Sequence, residues 1–160
     1  MKIFATIKVI PLCLTLAIFF SLCVGLAYSA DPADLKPRVP ADKLPEVTKL
    51  KNLVSANEEA LEASKKIFLG KGICFTCHGT AGKGDGAAAA SFNPRPRNFT
   101  DADWQKARTD GEIFWAITNG TEFGMNAFED MLPAEQRWML VAYIRSLGKP
   151  AGRQEEIEQK

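Results

Sequence analysis

Histidine occurs once in the 160 residues, as His78, so no site that needs two imidazoles can be assembled within this chain. Cysteine is nearly as scarce. Of the four, Cys13 and Cys23 fall in the apolar first thirty residues, which leaves Cys74 and Cys77 for the rest. Two thiols and one imidazole fall short of the four ligands of a structural zinc site, and no second Cys pair is present to complete one. A disulfide across two intervening residues would close too small a loop to restrain the unfolded chain. No segment alternates apolar and polar residues as a half-buried strand does. That removes the βαβ setting in which a Cys-x-x-Cys dithiol acts as an oxidoreductase. Charge of one sign is lacking too. The net charge is +1, and without Lys2 and Lys8 eighteen basic residues face nineteen acidic ones, a net −1. No basic face for nucleic acid is expected.

The N-terminus has what the rest lacks, a long apolar run. Lys2 and Lys8 precede Val9–Ala30, which carries no charge and ends in small residues before "DPAD". Residues 1–30 therefore read as a secretory signal peptide or an uncleaved membrane anchor, with residues 9–30 as the tether in the second case. Either way the remainder is exported, to the periplasm. Residues 31–54 hold four prolines and isolated aliphatics, and are expected to form a proline-rich extended arm. The domain proper is expected over 55–148, followed by a charged tail, 149–160.

Three main helices are predicted in that domain, and the fold class is all-α. The first opens with Ser55 and Glu58 at capping-box spacing, turns Ala60, Ser64, Ile67 and Phe68 to one face, and stops at Gly70 or Gly72. The second opens with Thr109 and Glu112 at the same spacing and ends at Gly120. The third runs from Pro133 to Gly148, with Trp138, Leu140, Val141, Ile144 and Leu147 inward. Between Gly79 and Thr109 lie some thirty residues of little periodicity, apart from a short helical turn at "DGAAAAS". A loop of that length in a compact domain makes sense if it wraps something that is not protein. Asp85 reads as a cap for the alanine turn.

The stretch "CFTCH", Cys74 to His78, fits covalent haem better than zinc or a redox dithiol. Both thiols add to the vinyl groups as thioethers, and the adjacent imidazole binds iron. One helical turn sets the two sulfurs along one porphyrin edge and brings the next residue beneath the metal. Export agrees, because haem c is attached outside the cytoplasm. With a single histidine the sixth ligand is sought among Met125, Met131 and Met139. Met139 lies mid-helix, where methionine is usually core. Met125 sits in a Gly-flanked loop, "NGTEFGMNAF", and is favoured; Met131 and an open site are the alternatives.

Taken together, "GKGICFTCHG", "GDGAAAASFNPRPRNFT", "TDGEIFWAITNG", "GMNAF" and "LPAEQRWMLVAYIRSL" resemble a class I monohaem c-type cytochrome over residues 58–148. The resemblance implies a small cytochrome c fold, with short helical turns wrapped around one covalent haem c and its iron. It implies a Met ligand at Met125, although Asn126 stands where the family often has proline. It also implies that the first helix, near Phe68, meets the last, near Trp138 and Tyr143. A carbonyl of the proline-rich loop should accept the second N–H of His78, with Pro94 or Pro96 as candidate. For the haem propionates Arg95, Arg97, Asn98 and Trp104 are available, and Arg97 and Trp104 are favoured.

His/Met iron is low-spin and closed to substrate, which suits electron transfer rather than catalysis. The expected role is a periplasmic electron carrier of a respiratory chain, exchanging electrons with donor and acceptor proteins. The alternative is a permanently bound haem subunit of a larger membrane complex. A gas sensor or small peroxidase would need a distal acid–base pair, and none is legible.

Overall fold

The computed structural model describes residues 35–149; the expected signal or anchor and residues 150–160 of the tail lie outside them. In chain order the helices are α1 (Leu44–Val47), α2 (Glu58–Leu69), α3 (Phe75–His78), α4 (Ala102–Ala107), α5 (Asp110–Asn119) and α6 (Ala134–Leu147), with a 3₁₀ turn at Ala89–Ser91 between α3 and α4. Among the described residues there is no strand, and no helix is long and apolar enough to cross a membrane.

Helix α2 begins where the Asn57 side chain accepts the Ala60 N–H at 2.9 Å. The expected Ser55–Glu58 box does not form. Asn57 has the extended backbone and short polar side chain that a cap needs, and it lies immediately before the first helical residue. On the inner face Phe68 is fully buried, and so is Ser64, whose hydroxyl donates to Ala60 O at 2.6 Å. That bond satisfies the one polar group buried on this face.

Helix α5 has the predicted cap. Glu112 N donates to Thr109 Oγ1 at 3.2 Å while Thr109 N donates back to Glu112 Oε2 at 2.6 Å. Helix α6 spans the predicted stretch and buries Leu140, Val141, Tyr143 and Ile144. Its main partner is α2, where the Phe68 and Tyr143 rings lie 5.3 Å apart. Trp138 pairs elsewhere, stacked on Phe114 of α5 at 4.0 Å. Burying each large apolar side chain here contributes roughly 1.5–3 kcal/mol, so this three-helix contact holds the frame.

Two elements differ from expectation. Helix α4 lies inside the stretch read as irregular. Asp101 caps it through Trp104 N at 2.7 Å, and six residues were too few to show a period. The arm expected to be extended makes one helical turn, α1, because Pro45 sits at its start, where a missing N–H costs nothing. Asp85 does not cap the alanine turn, which has no side-chain cap; its carboxylate lies against Gly79 instead.

Arg145 of α6 ties the α4–α5 corner down. Its Nε donates to Asp110 Oδ1 at 2.7 Å, Nη1 to Gln105 O at 2.7 Å and Nη2 to Arg108 O at 2.6 Å. Gln105 in turn donates to Phe99 O and Ile144 O. The segment 99–108 is thereby pinned to the last helix.

Candidate functional site

Helix α2 delivers the chain to the site. After its end at Gly70, Cys74 N donates back to Phe68 O at 3.1 Å and the chain turns through Ile73, the described non-glycine residue with positive φ, at 44°. One helical turn follows. His78 N donates to Cys74 O at 2.9 Å, which places Cys74, Cys77 and His78 on a single helical turn. The two thiols are free rather than joined to each other.

Cys74, Cys77 and His78 all line one cavity of about 340 Å³, within the range of roughly 300–1,000 Å³ typical of ligand and cofactor sites. Its walls are mostly apolar, from Phe68, Ile113, Ile117, Phe128, Leu140 and Ile144. The loop between α3 and α4 supplies another wall through Pro94, Pro96, Arg97 and Phe99, and α4 adds Trp104. The long irregular stretch therefore does wrap a space not filled by protein.

His78 is held on two sides. Its ring stacks on Phe99, with centroids 4.3 Å apart and planes 19° from parallel. Its Nδ1 lies 3.1 Å from the carbonyl of Arg97. The expectation that Pro94 or Pro96 supplies this carbonyl is corrected: Pro94 lines the cavity, but Arg97 is the acceptor. The reason lies in the Gly82–Gly84 turn, where Gly84 N donates to His78 O at 2.8 Å and Phe99 N donates to Gly82 O at 2.7 Å. These bonds draw residues 96–99, rather than 94, over the imidazole. Burial lowers the His78 pKa to about 4, partly opposed by the Arg97 carbonyl and assisted by the Arg38 charge. At neutral pH the ring is uncharged, the form that binds metal.

Of Met125, Met131 and Met139, only Met125 lines the cavity. Met131 is 47% exposed, and Met139 belongs to α6 away from the cavity wall. The Met125 loop closes on itself, with Thr121 N donating to Met125 O at 2.9 Å and Phe128 N to Ile117 O at 3.0 Å. Gly120, at φ 73°, permits the close approach, since a side chain there would strike Met125 O.

The polar wall was only partly anticipated. Arg97 and Trp104 line the cavity as expected, whereas Arg95 and Asn98 do not. Arg38, Arg108 and Glu112 line it as well; the sequence marks Glu112 only as a helix cap and gives no site role to any of the three. Arg108 and Glu112 form a buried ion pair at 2.7 Å. Their i,i+4 spacing was a legible signal, but nothing local said that the pair faces inward.

Known proteins bear on this arrangement in three ways. The sequence model of the family described as "Cytochrome C oxidase, cbb3-type, subunit III" matches residues 59–144. Among solved structures, a chain of the reducing HAO-like protein complex of Kuenenia stuttgartiensis is similar at 28% identity and a TM-score of 0.54. That match covers 64% of this chain and 49% of the other, so this chain spans about half of its neighbour. No curated protein matches.

The residues present fit a haem. Two thiols and a neutral imidazole open onto one apolar cavity, and the buried Trp104 Nε1, Arg108 Nε and Thr121 Oγ1 on its wall have no protein partner. Buried polar groups left unpaired are rare, and these mark where the polar groups of a bound cofactor would be received.

Proposed function

Because the chain belongs to the cbb3-type cytochrome c oxidase subunit III family, whose domain binds haem c covalently, we propose that it is an electron-transfer protein with His78 and Met125 as its axial pair. Cys74 and Cys77 would hold the haem as thioethers. When bound, the haem supplies a one-electron iron couple with no proton or substrate chemistry of its own. The chain's residues do the rest. Phe99 and the Arg97 carbonyl fix the plane and tautomer of His78, the bond to the carbonyl making the imidazole a stronger donor. Met125 would be the second protein ligand, and a site held by both residues would leave no position for a substrate. The apolar walls exclude water, so charge change at the metal meets little solvent rearrangement.

The observation that carries this reading is that Met125, alone of the three methionines, lines the cavity that Cys74, Cys77 and His78 open onto. Its test is Met125→Ala in the oxidised holoprotein. The sulfur-to-iron charge-transfer band at the red edge should disappear while the haem stays attached through acid–acetone extraction. If Met131→Ala removed the band instead, the axial assignment would be wrong.

We place the domain in the periplasm, behind a signal or anchor formed by residues 1–30, where haem c is attached. As a carrier it would exchange electrons between a donor and an acceptor in a respiratory chain. A second reading is permanent residence in a larger complex. It draws support from the similar Kuenenia stuttgartiensis chain, which belongs to a protein complex. Native gels of detergent-solubilised membranes separate the two: a carrier migrates alone, a subunit with its partners.

A further inference from the structure

We propose that residues 35–39, which precede the family-matched span of 59–144, form a clasp on the turn that carries Met125, with Arg38 as the positioning residue that keeps the methionine side chain at the cavity. The inference rests on the reading of Met125 as an iron ligand and adds to it what holds that ligand in place.

The turn has little of its own to hold it. Gly120 and Gly124 have positive φ, 73° and 95°, and two of its backbone bonds, Thr121 N to Met125 O and Gly124 N to Thr121 O, are internal. Glycines widen the conformations open to such a segment. Beyond the bond from Phe128 N to Ile117 O at its exit, restraint comes from other segments. Phe92 of the proline-rich loop supplies one contact, since a side chain at Gly124 would strike its ring. Arg38 supplies another, with its guanidinium 5.3 Å from the centroid of the Phe123 ring, within cation–π range. The same guanidinium donates through Nη2 to Arg95 O at 2.8 Å. Arg38 thus ties the Met125 turn to the proline-rich loop, and Arg38, Phe92, Phe123 and Met125 all line one cavity.

A clasp works only if it is itself fixed, and the arm is pinned on both sides of Arg38. Upstream, Arg108 Nη2 donates to Leu35 O at 2.8 Å and Arg97 Nη2 donates to Lys36 O at 2.6 Å. Downstream, Val39 is buried and Lys43 N donates to Pro40 O at 3.0 Å. Val47 of α1 then packs so closely on α5 that a side chain at Gly111 would strike its carbonyl. Opening the Met125 turn therefore breaks contacts with a fixed element rather than with a free chain end. The ring contact and the hydrogen bond together lower the population of the open turn by roughly tenfold.

The test is a double-mutant cycle in the holoprotein with Arg38→Leu, Phe123→Leu and the two combined, and with Arg38→Lys as the conservative variant. Two readouts require Met125 to leave the iron: the rate of CO binding to the reduced protein and the affinity of the oxidised protein for imidazole. Arg38→Leu should keep its haem through acid–acetone extraction and keep the sulfur-to-iron band, yet bind CO roughly tenfold faster and imidazole roughly tenfold tighter. Phe123→Leu shifts both readouts the same way, and the combined variant is close to Arg38→Leu alone, because both remove the same contact. Arg38→Lys falls between wild type and Arg38→Leu. Arg38 has partners beyond these two, so the coupling between Arg38 and Phe123 carries the conclusion rather than the size of the Arg38→Leu effect. Independent, multiplying effects, or a lowered Tm with both readouts at wild-type values, would overturn the clasp and leave Met125 as the ligand. A wild type that lacks the sulfur-to-iron band, or loses it in Met131→Ala, would overturn the ligand reading itself.

Discussion

Gly84→Ala tests how the chain orients His78. Gly84 is buried at φ 74°, and a methyl added there would strike Pro96 O and lie 3.3 Å from the backbone of Arg97. The left-handed conformation costs an alanine about 1–2 kcal/mol. Relief of the contact must move the 96–97 backbone, whose Arg97 carbonyl lies 3.1 Å from His78 Nδ1. Losing that hydrogen bond adds about 0.5–1.5 kcal/mol. The sum is roughly 1.5–3.5 kcal/mol, or about 6–14 °C in Tm at ~4 °C per kcal/mol for a domain of this size. Calorimetry or thermal circular dichroism of the holoprotein measures it, with exposed Lys83→Ala as a control expected to stay within about 0.5 kcal/mol. The potential should also rise, because an imidazole that no longer donates to a carbonyl is a weaker ligand to oxidised iron. A Gly84→Ala protein as stable as wild type and of the same potential would refute the account of how His78 is held.

Further expectations concern acid and the buried ion pair. The folded His78 pKa lies near 4, below its ordinary 6.5, so its contribution to stability is full above pH 6.5 and declines as pH falls toward 4. With His78 as the proposed iron ligand, iron would oppose the proton further, so the low-spin spectrum should persist on acidification to about pH 4; its loss near pH 6 would contradict the proposed ligation by a buried imidazole. Glu112→Ala removes the acceptor of both Arg108 Nη1 and Thr109 N, 2.7 and 2.6 Å away. Leaving a buried arginine unpaired should cost about 3–5 kcal/mol in denaturant titration, and a loss below 1 kcal/mol would mean that the pair is solvated.

The parts of this protein legible in its sequence are those set by near neighbours. Thr109 and Glu112 cap α5 from three residues apart, Pro133 and Gly148 bound α6, and Cys74, Cys77 and His78 share one turn. Each depends on spacing within a few residues, which the backbone geometry of a helix converts directly into position. The capping of α2 was misread by two residues, because Ser55 and Asn57 are both competent caps and only the path of the incoming arm selects between them. Helix α4 shows no period because its single turn and a half is held by Gln105 and Arg145 rather than by its own apolar pattern.

Covalent chemistry at "CFTCH" and the all-helical class thus follow from the sequence alone, since both are local. Tertiary structure decided the rest: that Arg97 rather than Pro94 provides the carbonyl at His78, and that Arg38 and Arg108 reach the same wall as Met125, which its Gly-flanked loop already favoured. Those choices join residues 19 to 73 positions apart, as in the His78–Arg97 and Leu35–Arg108 bonds. No propensity or spacing rule acts over such a distance. Packing around a space the protein does not fill brings these residues together.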